Sequence, residues 1–354
     1  MSLLYLEPLE VEMKLAQKVF NRHFERDNKL ASEYDERRRK LMLTDIQYNL
    51  KIVNIAVKYG SEALLTDYAG WIYKLLVSRM NDLPPDRIKD QMITHYRIMA
   101  EVLNEEMSRE DNKETAYYLD LAIQATEEAA AEESASTLPT QTELAGLRSQ
   151  YLQHLLEGKK QEAIALINKA VEQGTPLENI YLEVFQDAMY EVGNLWHQGK
   201  ITVDKEHYCT AVTQNAMAQF YPKIFSTPRK GLTLIACCVG NELHEMGIRM
   251  LCDLFELNGW DCIYLGAAVP VESIKKSIEE NKPQLIALSV TMPHFLDQCK
   301  ELIDALRNDG HYQDYKIAVG GRIFQLAPDL YKKWGVDVST QSALELIEWA
   351  NQNF

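Results

Sequence analysis

At Pro228 the character of this sequence changes. Upstream, apolar residues recur at helical spacing. Downstream, Leu232–Val239 is an unbroken apolar run closed by Gly240, the pattern of a strand buried on both faces of a parallel sheet. Further strand candidates are Cys262–Leu265, Leu285–Val290, Lys316–Val319 and Val336–Ser339, and helical patterns at 244–258, 271–280, 295–308 and 342–353 alternate with them. This alternation predicts a doubly wound, Rossmann-like α/β domain over 228–354, whose ligand sits beyond the carboxyl ends of the strands.

The upstream sequence divides further, so the expected fold class is multidomain, α followed by α/β. Residues 1–132 carry almost no strand signal. Tyr48, Ile52, Ile55 and Val57 mark a helix ending near Gly60, and Leu64, Leu65, Tyr68, Trp71, Ile72, Leu75 and Leu76 give a second stripe. Ile88, Met92, His95, Met99 and Leu103 give a third, opened by Pro84-Pro85, and another runs from Asn112 to Ala130. An all-helical domain of about five helices is expected, followed by a small, polar, proline-containing linker at 133–141. Residues 142–227 read as a four-helix bundle, with helices near 143–158, 161–173, 176–198 and 203–225 punctuated by Gly158, Gly174 and Gly199.

The balance of 46% hydrophobic and 25% charged residues is that of a globular protein. A formal charge of -15 argues against direct nucleic-acid binding, which needs clustered cations; the run Arg37-Arg38-Arg39-Lys40 reads as a charged helix face. No apolar stretch reaches the roughly 20 residues of a membrane helix, and no secretory signal opens the chain. The six cysteines, all downstream of residue 208, form no CxxC pair and suit a reducing cytoplasm. No nucleophile triad, phosphate loop or paired-carboxylate site stands out, so a non-enzymatic role is expected.

The loop after the first strand holds Glu242-Leu243-His244-Glu245-Met246-Gly247. His244 falls where an α/β sheet presents side chains to ligands. Its imidazole suits a transition metal, and Glu242 can take the other ring proton. Gly247 would let a bulky group approach the backbone. The plain alternative is a helix-capping or surface histidine. Further strand ends carry Leu265-Gly266-Ala267-Ala268, Ser289-Val290-Thr291 and Gly320-Gly321, small or hydroxyl residues that leave a crevice for a flat-headed ligand with a tail.

This set resembles the cobalamin-binding domain shared by methionine synthase, corrinoid methyl carriers and cobalamin photoreceptors, whose motif is Asp-x-His-x-x-Gly, then Ser-x-Leu or Ser-x-Thr, then Gly-Gly. The resemblance covers 142–354, with Glu242 in the place of the family's Asp. It implies that His244 is the lower axial ligand of cobalt, and that Gly247, Ser289, Thr291, Gly320 and Gly321 line the nucleotide tail.

Trp196, nine residues, then Glu206-His207 forms a second constellation. Taken alone, Trp196 reads as a core tryptophan. The full spacing resembles the adenosylcobalamin-dependent photoreceptors that regulate bacterial carotenoid synthesis. The resemblance implies that Trp196 packs against an upper adenosyl group, that Val203 walls the pocket, and that Glu206 and His207 hold that group. Light would release it, and His197 is the candidate second cobalt ligand thereafter, with a change in conformation or homo-oligomeric assembly as the output to a downstream protein partner.

Residues 1–132 show no winged helix-turn-helix. They resemble the helical regions that precede cobalamin modules in other bacterial sensors, including photocobilins, which add biliverdin. Tyr68, Trp71, His95 and Tyr96 are then candidate bilin-lining residues; a dimerisation or signalling domain is the equal alternative. The leading expectation is a light sensor using adenosylcobalamin. The alternative is a corrinoid carrier of a methyltransferase system, and a third reading is a scaffold that senses cofactor level.

Overall fold

The structure, a computed structural model, describes residues 10–106, 109–132, 143–308 and 314–354. The linker expected at 133–141 lies outside the described residues. The chain forms two compact units, one of 1–133 with Met292–Asp297, the other of 134–291 with 298–354.

The first unit is all helical: Glu10–Arg26, Leu30–Glu33, Glu36–Tyr59, Glu62–Arg79, Pro85–Glu106 and Arg109–Ala131. Among the described residues six helices form where about five were expected; the single turn Leu30–Glu33 is too short to show periodicity. Gly60, left-handed at φ 63°, ends the Glu36–Tyr59 helix where expected, and Asp35 caps its start by accepting from the Arg38 N–H. The stripes meet in a core that includes Ile52, Ile55, Leu64, Tyr96 and Met99. The basic run is engaged within the unit: Arg38 binds Asp82 and the Glu33 carbonyl, and Arg39 donates to the carbonyls of Tyr34 and Ala31.

His95, expected either to line a bilin pocket or to pack within a dimerisation or signalling domain, is buried. His23 Nε2 lies 3.1 Å from its Nδ1 and Asn49 Nδ2 3.0 Å from its Nε2, so both ring nitrogens are engaged in a buried polar chain. Burial lowers the pKa of both histidines, that of His23 to about 4. Tyr68 and Tyr96 are buried in the same core, and Trp71 is half-buried.

The second unit begins with helices Ala145–Leu156 and Lys160–Glu172. The helix expected over 176–198 forms as Leu177–Asn179, a π-helical segment Ile180–Gln186, and Asp187–His197. Such segments cluster at functional sites. The helix expected over 203–225 instead breaks into Val203–Ala218 and Tyr221–Phe225. Pro222 causes the break, since its ring would clash with the carbonyl four residues back. Tyr151 Oη donates to Thr213 Oγ1 at 3.0 Å, and buried Arg148 pairs with half-buried Asp187 at 2.7 Å, so the bundle helices are cross-tied.

Five strands follow: β1 Thr233–Cys238, β2 Asp261–Gly266, β3 Leu285–Ser289, β4 Lys316–Gly320 and β5 Val338–Ser339. All pair in parallel in the order β2-β1-β3-β4-β5. β3 is wholly buried and β1 nearly so, as their apolar runs require. β5 is shorter than the Val336–Ser339 expected, at the sheet edge where one partner suffices. Tyr181 of the π segment donates to Asp253 of helix Met246–Leu257 at 2.8 Å, tying the bundle to the helix that follows β1. Among the described residues, no helix is long and apolar enough to cross a membrane, and all six cysteines are free thiols.

Two consequences follow for stability. Gly321 has φ 94°, and a Cβ there would stand 2.3 Å from the Val290 carbonyl oxygen. Gly321→Ala should therefore lower stability by about 2–4 kcal/mol, read as a lower urea midpoint. Burial raises Asp253 to about 6, against the Tyr181 hydrogen bond that lowers it. The folded state thus holds this proton more tightly than the unfolded chain, whose carboxyl titrates near ~3.9. The resulting stability is full below about pH 4 and lost as pH rises through about 6. Asp253→Asn should gain on wild type by about 2 kcal/mol between pH 4 and pH 7, measured by urea unfolding at both.

Candidate functional site

In this strand order, chain direction reverses across the sheet between β1 and β3, so the connections leaving them diverge and open a crevice at their carboxyl ends. β1 ends at Cys238, and the chain turns at Gly240 with φ 59° before helix Met246–Leu257 begins. That turn sets Glu242 inward and His244 outward: their side chains are 1% and 61% exposed.

Glu242 is a buried carboxylate whose oxygens are met by hydrogen-bond donors. One oxygen accepts from the His244 backbone N–H at 3.1 Å and from His244 Nδ1. The other accepts from the Thr291 backbone N–H at 3.0 Å. With the Nδ1 proton held by Glu242, Nε2 is the ring nitrogen left to face a ligand. The same carboxylate joins the β1 connection to the residues after β3.

Surrounding protein desolvates the His244 ring and pulls its pKa down, but the hydrogen bond and charge of Glu242, with the charge of Glu206, outweigh this and the net direction is upward. A ring that is water-accessible yet desolvated by its surroundings projects into a crevice. The Glu206 effect adds that the lid motif of the bundle lies within electrostatic reach of His244.

The lid motif occupies one corner of the bundle. Trp196 and His197, both half-buried, end helix Asp187–His197. Gly199, at φ 70°, turns the chain, its N–H bonding the Trp196 carbonyl while that of Lys200 bonds the Leu195 carbonyl, both at 2.9 Å. Half-buried Val203 opens the next helix. Glu206 Oε2 is 2.7 Å from Nδ1 of exposed His207, and Glu206 Oε1 accepts from Thr210 at 2.9 Å.

The remaining candidates line the strand ends. Ser289 is buried, its carbonyl accepting from Val239 N–H at 3.1 Å, and it stands opposite Gly320 in register. Gly247 and Gly320 have no heavy atom within 4 Å of where a Cβ would stand, so each opens onto free space. Gly321 differs, being required by its own backbone and its contact with Val290. Two large side chains passed over in the sequence reading are Leu243, 65% exposed, and Tyr190, 62% exposed. An apolar residue inside the polar Glu242–Glu245 loop was the available signal for the first; Tyr190 looked like an ordinary helix residue.

Among the described residues, no group of three His, Cys, Asp or Glu side chains could hold a bare metal ion. A single outward imidazole backed by a buried carboxylate instead fits a metal that arrives in a macrocycle and lacks one axial ligand. With the open space over Gly247 and Gly320, the residues present fit a corrinoid.

Comparison with known proteins agrees. Residues 232–347 match the family model of the B12 binding domain, and residues 147–221 match a second model of the same description. The second unit is therefore a corrinoid-binding module, bundle and sheet together. The chain is 24% identical over 199 residues to dimethylamine corrinoid protein 2 of Methanosarcina acetivorans, covering 55% of this chain and 89% of that one. It is 22% identical over 188 residues to trimethylamine corrinoid protein 1 of the same organism, covering 52% and 86%. The monomethylamine corrinoid protein structure from Methanosarcina barkeri matches 60% of this chain and 100% of its own, with a TM-score of 0.53 and 18% identity, a likeness of fold.

Removing the carboxylate should loosen what it joins. In Glu242→Ala, the Thr291 amide should exchange with solvent about tenfold or more faster than in wild type, as read by hydrogen–deuterium exchange.

Proposed function

We propose that this chain is a light-responsive sensor that holds adenosylcobalamin, with His244 as the lower axial ligand and Trp196, Val203, Glu206 and His207 roofing the opposite face. The observation that carries the reading is the lid corner: half-buried Trp196 and His197 end one helix, and Glu206, 2.7 Å from His207 Nδ1, stands in the first turn of the next. When bound, the cofactor supplies a cobalt–carbon bond that visible light breaks. The protein's part is done by its own side chains. Glu242 holds the Nδ1 proton of His244, Trp196 excludes water from the upper face, and Glu206 with His207 offers a polar pair to the upper group. His197, next to Trp196 in the chain, is the candidate imidazole for the upper face once that group leaves. The output is a change in assembly or in binding of a protein partner, without catalysis and without direct nucleic-acid contact.

A second reading, a corrinoid carrier serving a methyltransferase, is favoured by the relatives: the dimethylamine and trimethylamine corrinoid proteins support it more directly than they support a sensor. The roof speaks for the sensor, since a carrier presents its upper face to another enzyme. Biliverdin in the first unit has weaker support, because His95 is engaged with His23 and Asn49.

Incubation with adenosylcobalamin in darkness followed by green light separates the readings. The sensor predicts a stable spectral change together with a shift in elution volume on size exclusion, both absent in His244→Ala, and an altered photoproduct spectrum in His197→Ala. Illumination that leaves elution unchanged, with a His197→Ala photoproduct identical to wild type, would favour the carrier.

A further inference from the structure

We infer that Lys58, Tyr59 and Asp297 are positioning residues for the candidate cobalt ligand, through which the first unit and corrinoid binding act on each other; the inference rests on the corrinoid reading and not on light. A loop at the carboxyl end of a strand borders the ligand crevice of an α/β sheet. After β3 that loop also serves the first unit, to which Met292–Asp297 belongs.

One face of helix Glu36–Tyr59 holds the segment. Tyr48, Ile52, Ile55 and Tyr59 recur along it at helical spacing. Ile52 and Ile55 are buried in the core of the unit. Tyr48 stands edge-on to His294, with ring centroids 5.5 Å apart. At the end of the helix, Lys58 Nζ and Tyr59 Oη both donate to Asp297 Oδ1 at 2.7 Å. Left-handed Gly60 stops the helix at these two donors. An exposed lysine–carboxylate pair alone would contribute little. Here the carboxylate is only 26% exposed and takes a phenol as well, and Pro293, His294 and Phe295 beside it are buried.

The clasped segment is internally bonded and begins next to the site. The Phe295 N–H donates to the Met292 carbonyl at 3.1 Å, and the Leu296 N–H to that of Pro293, closing a single 3-10 turn. Thr291 directly precedes Met292. Its backbone N–H donates to Glu242, which holds Nδ1 of His244. The carboxylate that orients the imidazole is thus anchored one residue from a segment that the first unit fixes. Coupling of this kind is reciprocal. A clasp that favours the oriented imidazole strengthens corrinoid binding, and corrinoid binding strengthens the clasp by the same factor.

The test uses the full chain as wild type, as Lys58→Ala with Tyr59→Phe, and as Asp297→Asn. Lys74→Ala is the control, since it removes an ion pair with Glu132 elsewhere in the same unit. Each protein is titrated with hydroxocobalamin in darkness, and hydrogen–deuterium exchange is read with and without it. In wild type, hydroxocobalamin should slow exchange of the Tyr59, Gly60 and Ser61 amides about fivefold. The double variant should bind hydroxocobalamin about fivefold more weakly, exchange the Thr291 amide faster without cofactor, and lose the slowing at the helix end. Asp297→Asn keeps an acceptor and should fall between, while Lys74→Ala should match wild type. Wild-type protein that binds hydroxocobalamin without slowing at residues 59–61 overturns the inference, and that measurement needs no variant. A double variant with wild-type affinity overturns it too, as does equal weakening by Lys74→Ala, which would make the effect a general loosening. Wild-type protein that bound no hydroxocobalamin would instead bring down the corrinoid reading itself, and this inference with it.

Discussion

One buried carboxylate organises the site. Glu242 accepts from the backbone and ring of His244 and from the backbone of Thr291, so it fixes the loop after β1, the orientation of the imidazole, and the start of the segment after β3. A charge this deeply buried is tolerated because hydrogen bonds surround it. The arrangement leaves a single nitrogen facing outward, which is what a macrocyclic metal needs and a bare ion could not use.

The bundle matters as much as the sheet because it carries the lid motif of Trp196, His197, Glu206 and His207. Its position in the second unit is set by side-chain ties, Tyr181 to Asp253 and Arg148 to Asp187, together with a continuous core from Tyr151 and Phe185 through Phe255 and Trp260. The lid corner therefore stands on two cross-tied helices. A ligand that changes how the lid packs acts on an element that shares its core with the sheet, which gives a sensor a physical route to a change of shape.

Much of this was legible in the sequence. The apolar runs of β1 and β3 are too continuous for a half-exposed strand, and the strand–helix alternation followed from them. The hydrogen bond between His244 and Glu242 was legible because loop position and residue chemistry pointed the same way. The break before Tyr221 was missed, although Pro222 marks it, because the apolar periodicity continues across it. The π segment had no local signal. The engagement of His95 by His23 joins residues 72 apart in sequence, which no periodicity reports.

The claim on which the account turns is that the His244 nitrogen binds cobalt. The direct measurement is electron paramagnetic resonance of the protein loaded with cobalt(II) cobalamin, with and without ¹⁵N-labelled histidine. The account predicts nitrogen superhyperfine triplets that become doublets on labelling and are absent, or insensitive to labelling, in His244→Ala. Splitting that ignores the label in the wild-type protein would mean that the cofactor keeps its own base, and the account would be wrong.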